Sequence, residues 1–90
     1  MTRQDIEAEI RRQAERLLSQ QRRPTAVKIG RIQRAVLAQA GVTSPIIVPV
    51  QPPASPGPLV LALTPVELAG CLRVVDAHGW TAYEALTAPG

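Results

Sequence analysis

The sequence predicts an α+β fold that is mostly helical, and three observations lead to that prediction. Apolar residues recur at helical spacing in the first forty residues, two β-branched runs flank a proline-rich stretch, and two capping-box patterns follow. The predicted order is a helical hairpin, a Pro-rich β-hairpin (or extended arm), then one longer and one short C-terminal helix. Within one compact domain, residues 1–43 form the basic helical hairpin, 44–63 the Pro-rich segment and 64–90 the C-terminal helices.

The first predicted element is an amphipathic helix over residues 3–21. Its apolar positions are spaced by four, four and three residues and form one stripe, made of Ile6, Ile10, Ala14 and Leu17. Thr2 precedes Asp5 by three residues, which is a weak form of the capping box. Pro24 ends this helix.

A second helix is predicted from Thr25 to about Ala40. Its apolar and cationic positions fall on separate arcs of the helical wheel, Ile29, Ile32 and Val36 on one and Lys28, Arg31 and Arg34 on the other. Gly41 is expected to end the helix in the left-handed conformation, with Val42 contacting Leu37. The short connection between the two helices predicts a helical hairpin or a helix-turn-helix.

The proline-rich segment holds two short apolar runs, at 46–50 and 59–63, on either side of a proline-rich stretch at 52–58. The simplest folded interpretation is a β-hairpin with a stiff tip. Pro49 cannot donate to a sheet, so the first strand is expected at an edge or at a bulge. The alternative is an extended, polyproline-like connector, but so many exposed Ile, Val and Leu side chains favour the hairpin.

The C-terminal part begins with a capping box at residues 64–67 that has proline at the first helical position. This pattern predicts a helix that ends just before Gly79, with Trp80 packing back on Val75. A second capping box at residues 81–84 predicts a short final helix.

Catalytic and metal-binding patterns are missing from the sequence. It has one cysteine, Cys71, and one histidine, His78, which are too few for a tetrahedral zinc site and show no catalytic spacing. We therefore expect a protein that is not an enzyme and that uses no metal, cofactor or small-molecule substrate. No apolar run reaches the roughly 18 residues of a membrane span. No signal peptide pattern is present either, which predicts a cytoplasmic protein or one inside a phage particle.

Positive charge is concentrated in the first forty residues, which hold nine basic and four acidic residues, whereas the rest holds one basic and three acidic. Five cations and no carboxylate lie between positions 22 and 34: Arg22, Arg23, Lys28, Arg31 and Arg34. This group is the predicted contact for a nucleic acid or an acidic partner.

The favoured functional interpretation is a small interaction module, such as an accessory subunit or a structural protein of a bacteriophage or mobile element. The chain has no Phe, so its core is thin, and thin cores are often completed by a partner or a second copy. The predicted protein interface consists of Ile46, Ile47, Val48, Val50 and Trp80. Proline-stiffened apolar segments of this kind can add to a neighbour's sheet or lie in its groove.

The alternative is a DNA-binding regulator with a helix-turn-helix or winged-helix arrangement. Residues 25–40 would lie near the duplex and the 46–63 hairpin would form the wing. The helix pair resembles those of helix-turn-helix proteins in general, without a discriminating motif. The predicted hairpin tip lacks Lys and Arg, which a phosphate-contacting wing is expected to carry.

Overall fold

The fold, seen in a computed structural model, places two helices over one face of a four-stranded mixed sheet. The structure describes residues 2–49 and 57–81. In chain order the elements are α1 (Arg3–Ser19), β1 (Pro24–Ile29), α2 (Arg31–Gln39), β2 (Ile46–Val48), β3 (Leu59–Pro65) and β4 (Leu72–Asp76). The strand order across the sheet is β2-β3-β1-β4.

The centre of the sheet is built from strands that are far apart in the sequence. β1 runs parallel to β3, with Ala26 opposite Ala62, and antiparallel to β4, with Val27 opposite Val74. β2 and β3 form an antiparallel pair in which Ile47 lies opposite Val60. The position of β1 therefore depends on partners more than thirty residues further along the chain.

The hydrophobic core lies between the helices and one face of the sheet. Its fully buried residues come from five elements: Ile6, Ile10, Ala14 and Leu17 of α1, Val27 and Ile29 of β1, Leu37 of α2, Leu61 of β3 and Val74 of β4. Alternate residues of a strand point to opposite faces, so only every second strand residue reaches this core.

The first predicted helix is confirmed, and it ends at Ser19. Its N-terminus has the reciprocal capping box, because Asp5 N donates to Thr2 Oγ1 at 3.2 Å and Thr2 N donates to Asp5 Oδ2 at 3.0 Å. The apolar stripe is fully buried, as the helical spacing predicted.

The second predicted helix is wrong in its first half, because Pro24–Ile29 forms a strand and the helix begins only at Arg31. The local helical spacing is overridden by hydrogen bonding to β3 and β4, which flank β1 on both sides. The chain therefore has no helical hairpin or helix-turn-helix at this place. The predicted end of the helix is present: Gly41 has φ 79° and Val42 N donates to Leu37 O at 2.8 Å.

Gly30, between β1 and α2, is needed because the backbone of the loop after β3 closes around it. A Cβ atom at Gly30 would lie 2.1 Å from the carbonyl oxygen of Leu68 and 2.5 Å from that of Ala69. Gly30 N also donates to Cys71 O at 2.8 Å. A side chain here would force this loop away from the start of α2.

The predicted β-hairpin is confirmed by the pairing of β2 with β3. β2 lies at the edge of the sheet, immediately before Pro49, as expected for a strand followed by a residue without an N–H. Of the predicted tip at residues 52–58, residues 52–56 lie outside the described residues.

The longer C-terminal helix is wrong, and with it the mostly helical fold class. Thr64 and Pro65 close β3, opposite Lys28 and Ile29 of β1, and the residues expected at the helix centre form β4. The capping box is a local preference that the paired strands outweigh. The predicted short final helix falls almost wholly on residues 82–90, outside the described residues.

Candidate protein-interaction surface

The sheet face that turns away from the helices exposes an aliphatic pair at one corner. Ile47 of β2 and Val60 of β3 lie opposite each other, with 64% and 58% of their surfaces exposed. Both are β-branched aliphatic residues that normally pack on a pleated surface. We call Ile47 and Val60 the aliphatic pair.

The opposite corner of the same face holds two cations. Lys28 of β1 and Arg73 of β4 lie directly opposite each other, and both are exposed. On the other side of Lys28, the exposed Thr64 of β3 occupies the neighbouring register position. We call Lys28 and Arg73 the cationic pair.

One strand connects the two pairs. Val60, Ala62 and Thr64 alternate along β3 on this face, and all three are exposed. Four strand residues span about 13 Å, which separates the two pairs along the strand direction. The cationic pair also lies two strands, roughly 10 Å, across the sheet from the aliphatic pair.

The face is not exposed throughout. Val75 lies two residues after Arg73 and therefore on the same face, yet only 4% of its surface is exposed. Ala26, opposite Val75 on β1, is half-buried. The surface open to a partner therefore runs along β3, with the aliphatic pair at one end and the cationic pair at the other. We call it the open strip.

The predicted basic group does not form one helical face, because Lys28 lies on the sheet whereas Arg31 and Arg34 lie on α2. Arg22 makes an internal structural contact: its Nε donates to Asp76 Oδ2 at 2.8 Å, and its Nη1 donates to Thr81 O at 3.1 Å. Only 16% of the Arg22 side chain is exposed. Arg23, Arg31 and Arg34 remain exposed.

The carboxylate that holds Arg22 is itself buried. Burial raises the pKa of Asp76, but hydrogen bonds from the Trp80 and Arg22 N–H groups and from the His78 amide together outweigh it, so the pKa lies below its usual value. The lengths of the two backbone bonds to Oδ1 are 2.9 Å from His78 N and 3.1 Å from Trp80 N. This network ties the end of β4 to the segment after α1.

The predicted interface residues are dispersed by the fold. Ile46 and Val48 point into the core, Ile47 is exposed on the opposite face, and Val50 lies outside the described residues. Trp80 is half exposed and contacts the ring of His78, with ring centres 6.2 Å apart, so it is not the core anchor that its position suggested.

Three residues of the open strip, Val60, Thr64 and Arg73, were missed from the sequence. Val60 and Thr64 alternate with the buried Leu59 and Leu61 and the partly buried Leu63, and the alternation of residue types is visible in the sequence. Arg73 carried no such signal, because only the pairing of β1 with β4 places it beside Lys28.

The two edges of the sheet differ in how their backbone groups are satisfied. At the β4 edge, Gln13 of α1 donates from Nε2 to Leu72 O at 3.0 Å and accepts from Val74 N at 2.8 Å. The amide side chain thus replaces a neighbouring strand. No side chain of the described residues makes such bonds to β2 at the other edge.

A cleft of about 810 Å³ lies beside this contact, and its lining includes Glu9, Gln33, Cys71 and Arg73. Gln33 Oε1 is buried without a hydrogen-bond partner among the described residues. Cys71 and His78 lie beyond opposite ends of β4, whose five residues span about 16 Å, so they do not form a nucleophile–base pair.

Within residues 2–49 and 57–81, no group of three His, Cys, Asp or Glu side chains is placed to hold a metal ion. Neither helix of that part of the chain is long and apolar enough to span a membrane. Comparisons with protein-family models, curated proteins and solved structures found no match.

Proposed function

We propose that this chain is a non-catalytic interaction module that binds a partner protein on the open strip, as an accessory or structural subunit of a larger assembly. The observation that supports this most directly is the aliphatic pair, with both side chains more than half exposed and facing each other across two strands. Full burial of an exposed Ile or Val side chain contributes roughly 1.5–3 kcal/mol. Because both side chains are more than half exposed, a partner that covers them gains a large part of this free energy from each.

The cations of the strip add selectivity to this contact. Charged groups at the margin of an apolar patch direct association and reject partners of like charge. A partner surface that combines apolar and acidic groups is therefore the complement of the open strip. Nucleic acid is the alternative ligand for the exposed cations, and duplex DNA is the natural competitor in a binding test.

The proposal can be tested by photo-crosslinking in cells that express the chain naturally. Val60 is replaced by p-benzoylphenylalanine, and a matched probe replaces Gln39, an exposed residue of α2. We expect one protein, identified by mass spectrometry, to cross-link from position 60 and not from position 39. The adduct should disappear when Ile47→Ser is added.

Binding of the identified protein is then measured with purified components. Ile47→Ser combined with Val60→Ser should weaken it by about tenfold or more, equivalent to roughly 1.4 kcal/mol. The circular dichroism spectrum of the variant should match that of the wild type. Equal cross-linking from both positions, or none from position 60, would show that the open strip is not an interface.

A further inference from the structure

We infer that the cationic pair, together with Thr64, binds a carboxylate of an extended acidic segment in the partner, while an apolar side chain of the same segment covers the aliphatic pair. This inference rests on the proposed function and names the chemistry of the partner. The cationic pair works against folding, because like charges directly opposite each other on adjacent strands destabilise a sheet.

No carboxylate of the described residues neutralises the cationic pair. The ion pairs there are Arg3–Glu7, Arg12–Glu9 and Arg22–Asp76, and none includes Lys28 or Arg73. Glu9 lines one cleft with Arg73, but its carboxylate pairs with Arg12. Glu67, on the loop after β3, lines a separate cleft with Arg31. The charge on this corner of the sheet is therefore available to an external anion.

The donors of this corner suit a carboxylate. Arg73 carries a planar guanidinium that can bind both carboxylate oxygens, Lys28 adds an ammonium group, and Thr64 adds a hydroxyl. All three are exposed on adjacent strands. Hydrogen bonds in which both partners are charged are shorter and stronger than those between neutral groups.

The rest of the open strip favours a polypeptide over a nucleic acid. Single-stranded nucleic acids bind sheet surfaces through aromatic side chains on which bases stack. The described residues of this face, from Ile47 across β3 and β1 to Arg73, include no aromatic side chain. Its apolar part consists of Ile47, Val60, Ala62 and the half-buried Ala26.

The spacing of the strip defines the segment that fits it. An extended chain running along β3 advances at the same rate as the strand beneath it and turns every second side chain toward it. Its residue over Val60 and its residue over Thr64 are thus four positions apart, with a third residue over Ala62 between them. The matching pattern is apolar, any, small, any, acidic, in either chain direction.

Two synthetic peptides of identical composition test this pattern on the full chain. The first is acetyl-Thr-Val-Thr-Ala-Thr-Glu-Thr-amide, which turns Val, Ala and Glu to one side. The control, acetyl-Thr-Val-Thr-Ala-Glu-Thr-Thr-amide, moves Glu by one position and so to the opposite side. Binding is followed by ¹⁵N–¹H correlation spectra of the labelled protein.

The first peptide should shift the amides of Val60, Thr64, Lys28 and Arg73, and the control should bind about tenfold more weakly. Lys28→Gln with Arg73→Gln should abolish this difference between the peptides. Arg23→Gln with Arg31→Gln removes the same net charge from other exposed sites and should preserve it.

The outcomes separate this inference from the proposed function. Equal affinity for the two peptides, with shifts confined to the open strip, overturns the carboxylate contact and leaves the interface standing. No shift from either peptide overturns the inference, and the cross-linking result then decides the interface. If only a 12-base-pair duplex, and neither peptide, shifts the Lys28 and Arg73 amides, the strip binds DNA. If the Val60 amide shifts only with rising protein concentration, the strip binds a second copy of the chain.

Discussion

The two faces of the sheet share the same strands but have different physical tasks. On the face under the helices, alternate residues of β1, β3 and β4 are buried with the stripe of α1. On the other face, the residues between them leave aliphatic and cationic side chains in solvent. Leu61 is fully buried and its neighbour Val60 is 58% exposed, a difference of one step along the chain.

This contrast teaches that in β3 only alternate residues are committed to folding. The covered set must fill a closed space, so its size and shape are constrained. The exposed set contributes little to that packing, and its composition can be set by what it binds. The strongest tests of the comparison are substitutions at neighbouring positions on opposite faces.

The largest expected effect is on the covered face. Leu61→Ala should lower the free energy of unfolding by about 3–4 kcal/mol, because it leaves a cavity in the core. Val60→Thr, one residue away, keeps a β-branched side chain and should change it by less than about 0.5 kcal/mol. Urea denaturation followed by circular dichroism measures both, and similar losses would show that the two faces are equally buried.

Next in size is the ionic contact at the end of β4. Asp76→Asn should cost about 3 kcal/mol, because it leaves the Arg22 guanidinium largely buried without its counter-charge. The Asp76 pKa is lowered by folding, so its stabilisation is complete above the unfolded pKa of about 3.9 and is lost as pH falls through the folded value.

The difference between wild type and Asp76→Asn should therefore shrink below about pH 4. Thermal unfolding from pH 7 to pH 2, followed by the fluorescence of Trp80, measures it, with Glu15→Gln as a control for an exposed carboxylate outside the cap of α1. A gap that stays constant down to pH 2 would mean that Asp76 does not stabilise the fold through its charge.

A smaller loss is expected at the closed sheet edge. Gln13→Leu introduces an apolar side chain of similar size and leaves the N–H of Val74 and the C=O of Leu72 without partners. The cost should be about 2 kcal/mol. Faster hydrogen exchange of the Val74 amide is the specific signature, and exchange as slow as in the wild type would contradict the role given to Gln13.

The smallest effect has the opposite sign. Lys28→Thr removes one of two facing cations on the open face and should raise the free energy of unfolding by a few tenths, roughly 0.3 kcal/mol. The gain should fade as salt is added, since salt screens the repulsion between exposed charges. A loss of stability at low salt would show that the cationic pair helps folding.

The local features of this fold were predictable from the sequence. Helical spacing and a reciprocal cap identified α1, and the flanking of a Pro-rich stretch by two β-branched runs identified the β2–β3 hairpin. Gly41 correctly marked the end of α2. Each of these signals depends on residues within about twenty positions of one another.

The remaining strands depend on contacts that no local pattern contains. β1 reads as the first half of a helix, because Ile29, Ile32 and Val36 have helical spacing, yet its partners lie at 62–65 and 72–76. The residues of β4 follow a capping box that favours a helix in isolation. The cationic pair was missed for the same reason, since Lys28 meets Arg73 only through this long-range pairing.

The edge closed by Gln13 limits how copies of this chain can assemble. Strand addition requires unpaired backbone groups, and at β4 a glutamine amide already occupies two of them. If two molecules join along β2, both outer margins of the resulting continuous sheet are β4 edges. Assembly by this route ends at two copies, because the β4 edges cannot add a further strand. Gln13 therefore prevents the formation of fibres through strand addition.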